Sequence, residues 1–213
     1  TPVYLRVPGW TTAATINGQP VANGTMWKGH VSRKGSPRAG TVFRVEFNPV
    51  VRLETWDKGA VSVHRGALLY SLPIAANYTV YAHHFGTDAM SNDYYLTPRS
   101  PWAFALDVNP THLDTSALTF SSSGYQAGAA PFNHSNWPSR IAARLRSLPS
   151  WGMKDNSASE PPQSPACTAD AVTKCGPAEV HALVPHGGTE LRVGELPVAF
   201  YGPGGKSGAV EQA

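Results

Sequence analysis

Charge is scarce in this 213-residue chain: Asp, Glu, Lys and Arg make up 15% of it and the net charge is only +3. No Lys/Arg-rich stripe forms, so nucleic acid is not an expected partner. Coiled coils and strongly charged disordered tails are excluded on the same ground. Long apolar runs are also missing. The densest, Ala67–Tyr70, has the length of a buried strand, so no membrane-spanning helix is encoded and no membrane partner is expected. There is no G-x-S-x-G elbow, no H-E-x-x-H and no phosphate-binding Gly loop. Carboxylates are few, and none of them is paired by its surroundings for glycosidic acid–base work.

What the chain does have is punctuation and alternation. Gly 20 and Pro 19 are high for a helical protein. Val3, Leu5 and Val7 share one face of a first strand, which Pro8-Gly9 ends. Thr12–Ile16 leads to Asn17-Gly18, a strong tight-turn signal. Phe43, Val45 and Phe47 alternate with Arg44 and Glu46, as in a half-buried antiparallel sheet. Asp57-Lys58-Gly59 predicts a reversal with Gly59 left-handed after a type I turn. Trp102, Phe104, Leu106 and Val108 bury one face of a further strand. Ile141–Leu148 fits both periods; the β surroundings and Pro149 favour strand. Val180–Val184 and Thr189–Val193 are expected to form a hairpin across Pro185–Gly188.

The fold expected is therefore all-β, with two packed antiparallel β-sandwich units. Patterning is weakest around Ala75–Asn92, which predicts a first sandwich over 1–75, a second over 76–200 and a flexible tail over 201–213. The chain enters a strand at once, so upstream strands are expected to complete the first unit.

Cys167 and Cys175, eight positions apart, lie in a Pro- and Ser-rich stretch that a disulfide would anchor; two free thiols are the alternative. N-x-S/T sequons begin at Asn23, Asn77 and Asn133. Together they predict a secreted, disulfide-bonded glycoprotein.

Six blocks carry a resemblance to a family: Leu5-Arg6-Val7-Pro8-Gly9-Trp10, Ile16-Asn17-Gly18-Gln19-Pro20-Val21, His64-Arg65-Gly66-Ala67-Leu68-Leu69-Tyr70, Trp102-Ala103-Phe104-Ala105-Leu106, Pro161-Pro162-Gln163-Ser164-Pro165 and Leu183–Val193. In order and spacing they resemble the C-terminal half of β-L-arabinofuranosidase-like glycoside hydrolases of the family 127 type. The resemblance implies an upstream (α/α) barrel that carries catalysis through a cysteine nucleophile beside a zinc. None of that machinery maps onto this chain, whose two cysteines lie in a loop near its end. No catalytic residue, cofactor or metal is therefore expected here, zinc belonging to the barrel. The expected role is accessory: packing on the catalytic domain, with a homodimer contact and a glycan as further candidate partners.

Bland and functional explanations compete at each candidate site. His83, His84, Asp88 and Asp93 are the most metal-like group, but adjacent strand residues point to opposite faces, so polar contacts explain them better. His64 and Arg65 stand at a strand end, where Arg65 could anchor an interdomain carboxylate contact or serve the turn. Trp56 is better explained at the edge of the core. Among six tryptophans, Trp137 and Trp151 have the weakest core patterning and are the candidates for stacking on sugar. The rival functions are an independent carbohydrate-binding module and a stand-alone glycosidase with an unrecognised carboxylate pair.

Overall fold

A computed structural model describes residues 2–31, 42–83, 92–108, 117–124, 136–167 and 175–200. Its regular structure is almost entirely β-strand, paired antiparallel, in two compact units: Thr1–Val51 with Arg65–Ala67, and Arg52–His64 with Leu68–Ala213.

The first unit contains β1 (Pro2–Arg6), β2 (Thr11–Ile16), β3 (Gln19–Val21), β4 (Met26–His30) and β5 (Val45–Pro49). Strands β1 and β4 form one sheet, and β3–β2–β5 another. Asn17 and Gly18, with φ of 52° and 76°, make the type I′-like turn between β2 and β3. The core is small: Val7, Ala14 and Ile16 are buried, with Leu5, Val21 and Trp27 packed against them. Gly29 is there because the Trp27 indole lies across it; a Cβ would collide with that ring. Trp27 then meets Phe43 edge-on at 5.3 Å.

The second unit contains β6 (Val51–Thr55), β7 (Val61–Arg65), β8 (Leu68–Pro73), β9 (Ala76–His83), β10 (Asn92–Pro98), β11 (Phe104–Leu106), β12 (Leu118–Ser122), β13 (Ser139–Ser147), β14 (Met153–Lys154), β15 (Ser157–Ala158), β16 (Ala178–Pro185) and β17 (Arg192–Val193). Eight of these form one sheet in the order β11–β13–β16–β8–β7–β6, with β12 on β13 and β17 on β8. Ile141, Ala143 and Leu145 on β13 are buried while Arg144 between them is exposed, so period two wins over the helical stripe. Phe104, Leu106, Tyr70, Leu183 and Val184 are also buried in this larger core.

Three expectations need correction. The units divide at Val51 rather than near residue 75. Strand β8 pairs with β16 and β17, which ties the chain after residue 51 to the larger sheet. The weak pattern at 75–92 instead marks β9 and β10, a two-stranded ribbon whose side chains are mostly exposed on both faces. The predicted hairpin of β16 with β17 does not form: a 3₁₀ turn at His186–Gly188 intervenes, and both strands pair with β8. At Asp57–Gly59, Lys58 joins Gly59 at positive φ (54° and 69°), so the reversal is of type I′ character.

Cys167 and Cys175 are joined by a disulfide, their Cα atoms 5.4 Å apart. Cys167 is buried, and its amide donates to the Ala199 carbonyl at 3.1 Å, while the covalent link joins it to Cys175 just ahead of β16.

Candidate functional site

The blocks that carry the family resemblance come to rest in local knots. In the first unit, Gly66 has φ of 60° and passes so close to Trp10 and Pro49 that a Cβ would lie 3.3 Å from the Pro49 Cβ. Only glycine meets both demands cheaply. Trp10 in turn meets Phe47 edge-on at 5.7 Å. In the second unit, the Pro161–Pro165 segment is held by hydrogen bonds. The Ser164 amide donates to the Lys58 carbonyl at 2.8 Å, and the Ser164 hydroxyl accepts from the Val198 amide at 2.9 Å. Lys58 and Glu160 pair at 2.5 Å across the same turn. That hydrogen bond raises the Lys58 pKa and lowers that of Glu160.

Two Ser–His pairs stand at a cleft of about 330 Å³ in the second unit. On β7, the Trp56 indole N–H donates to Ser62 Oγ at 2.7 Å, and Ser62 Oγ lies 2.9 Å from His64 Nε2. Because the indole can only donate, Ser62 Oγ accepts there, and the direction of its hydrogen bond with His64 Nε2 follows the imidazole tautomer. Burial, then the charge of Arg52, lowers the His64 pKa, in keeping with a neutral ring, although Glu54 pulls the other way. Glu54 Oε2 approaches the same nitrogen at 3.3 Å. A nucleophile–base–acid relay needs serine and carboxylate on opposite ring nitrogens. Here they share one, and Ser62 is 2% exposed. This arrangement locks a strand; it does not activate a nucleophile. The second pair, Ser71 Oγ to His186 Nδ1 at 2.8 Å, pins the 3₁₀ turn to β8. Burial, then Arg192, lowers the His186 pKa.

Two larger clefts flank the β9–β10 ribbon, of about 620 Å³ and 500 Å³. The first runs beside Tyr95, Thr97, Trp102, Met153 and Arg192, and the second beside Tyr78, Trp137 and Glu190. The candidate tryptophans separate here. Trp137 lines the second cleft, half-buried, with its indole N–H donating to the Gly188 carbonyl at 2.9 Å. Trp151 is only 5% exposed, because it stands edge-on to Trp102 at 5.3 Å and donates to the Ser159 carbonyl. It is a core residue with one edge on the smallest of the three clefts. Exposed aromatics cluster instead on the ribbon, as Tyr78, Tyr81, Tyr94 and Tyr95, while Trp56, 48% exposed, stands apart at the smallest cleft and Tyr4 and Phe47 are exposed in the first unit. Sequence reasoning passed over them since neither ribbon face is an apolar stripe; their spacing within two facing strands was the available signal.

Arg65 is half-buried at the end of β7. Asn23 and Asn77 are exposed, and the Asn23 side-chain amide donates to the Thr11 carbonyl at 2.6 Å. Asn133 lies outside the described residues, as do His84 and Asp88. His83 Nδ1 is 2.7 Å from Asn92 Oδ1 across the ribbon. No group of three or more His, Cys, Asp or Glu side chains suited to a metal forms among the described residues.

No family model matches the chain, and no curated protein matches its sequence. One solved structure that it resembles is described as a glycoside hydrolase, with TM-score 0.46 and 16% identity over 93% of this chain and 28% of that one. The chain thus spans less than a third of that protein's length.

Proposed function

We propose that this chain is the non-catalytic accessory β-sandwich portion of a secreted glycoside hydrolase acting on β-L-arabinofuranosides. Its work is to pack against an (α/α) catalytic barrel and to contribute to a homodimer contact. The observation that supports this most is the use made of the resemblance blocks. Gly66 with Trp10, Ser164 with Lys58 and Val198, and His186 with Ser71 all hold strands and turns in place. Sequence devoted to scaffolding suits a part whose product is rigidity. The disulfide suits an oxidising compartment.

The test is to assay β-L-arabinofuranoside hydrolysis by the chain alone, by a family barrel alone, and by the two joined. Turnover is expected only where the barrel is present, and the barrel's melting temperature is expected to rise when this chain accompanies it. Turnover by the chain alone that co-purifies with it and is lost on a single Asp or Glu substitution would overturn the proposal. Light scattering of the joined protein tests the dimer.

A further inference from the structure

We infer that the 620 Å³ cleft between the β9–β10 ribbon and the β14–β15 hairpin is a binding site for a neutral oligosaccharide. This inference rests on the second unit's own geometry and not on the accessory assignment. The ribbon's register pairs Tyr95 with Thr79 and Thr97 with Asn77. Directly opposed residues share a face, so Asn77, Thr79, Tyr95 and Thr97 stand together. Tyr81 joins them, its ring 4.7 Å from that of Tyr95. This face carries hydroxyls, an amide and two tyrosine rings that are 63% and 56% exposed, with Asp93 at its far end, outside the residues that line the cleft. Opposite, Asn156 and Ser157 come from a tight turn in which Asp155 and Asn156 both have positive φ. The floor is apolar, with Trp102 and Val193 among its residues.

The charge pattern selects the ligand. Arg192 is the one charged residue lining the cleft, and its guanidinium donates to the Thr189 carbonyl. An amine would find no carboxylate among the lining residues, and a phosphate or sulfate would find a single cation already turned to a backbone carbonyl. A sugar has an apolar C–H face for the rings and hydroxyls for Thr79, Thr97, Asn156 and Ser157. The volume falls within the roughly 300–1,000 Å³ usual for small-molecule sites.

The experiment uses the chain secreted to a bacterial periplasm, where the disulfide forms and Asn77 stays unmodified. A panel of neutral pentose and hexose oligosaccharides, with uronic and sulfated ones beside them, is titrated by calorimetry and by tryptophan fluorescence. Saturable binding of a neutral member is expected, with Tyr95→Ala weakening it about tenfold while the melting temperature holds. Val180→Ala, an exposed side chain outside the cleft, is expected to bind as the parent does. No saturable binding across the neutral panel, binding of the charged members alone, or binding indifferent to Tyr95→Ala would each overturn the inference. None of these outcomes bears on whether the chain supports a catalytic barrel.

Discussion

The two units draw on the same device, alternating side chains on short antiparallel strands, and end with unequal cores. The first buries Val7, Ala14 and Ile16 beneath two small sheets, and leaves Val45 and Phe47 on β5 more than a third exposed. In the second, β13 lies between β16 on one side and β11 and β12 on the other, so Ile141, Ala143 and Leu145 have no exposed surface. Alternation therefore supplies a candidate inner face, and the number of neighbouring strands decides how far that face leaves water. Stability should be distributed accordingly, high in the second unit and closer to local opening in the first.

The largest effect should come from deepening that contrast. Leu145→Ala removes a fully buried side chain from β13. It is expected to cost about 2–5 kcal/mol and to lower the main unfolding transition in calorimetry and the protection of β13 and β16 amides together. A loss confined to one strand's amides would mean that the eight-stranded sheet does not unfold as one body. Gly66→Ala probes the weaker unit. It combines a positive φ with a Cβ 3.3 Å from Pro49, and about 1–2 kcal/mol is expected from the conformational cost alone. Hydrogen exchange should quicken first in β1, β2 and β5. Equal quickening in β13 would show that the two units share one transition.

The smallest effect is a pH dependence belonging to the second unit. His64 and His186 are both held below the ordinary histidine range, chiefly by burial. Unfolded, they titrate near about 6.5. Their stabilising contribution is therefore complete above that pH, and is lost as pH falls through it toward the depressed folded values. Thermal scans between pH 7.5 and 5 should show a falling melting temperature. His64→Gln, which retains an acceptor for Ser62, should flatten that slope. An unchanged slope in the variant would remove His64 from the account.

Much of the fold was legible residue by residue. Asn17-Gly18 announced its turn and Ile141–Leu148 its strand, because turn chemistry and period-two burial are local properties, whereas Trp102–Val108 keeps only Phe104–Leu106 as strand, with Ala105 buried like its neighbours. The site was far less legible. Trp151 looked peripheral because its neighbours are polar, yet Trp102 and the Ser159 carbonyl enclose it. The ribbon tyrosines went unremarked because neither strand alone carries an apolar stripe on which they would stand out.

By itself the chain's alternation and punctuation determined an all-β architecture, its turns and the candidate for its disulfide, since each depends on neighbours a few positions away. Only the tertiary structure decided that the division falls at Val51, that β16 and β17 each choose β8, and that exposed tyrosines and a buried tryptophan border the same set of clefts. Those outcomes depend on which distant strand offers unpaired hydrogen-bonding groups and matching apolar area, and such matches are made across the fold rather than along the chain.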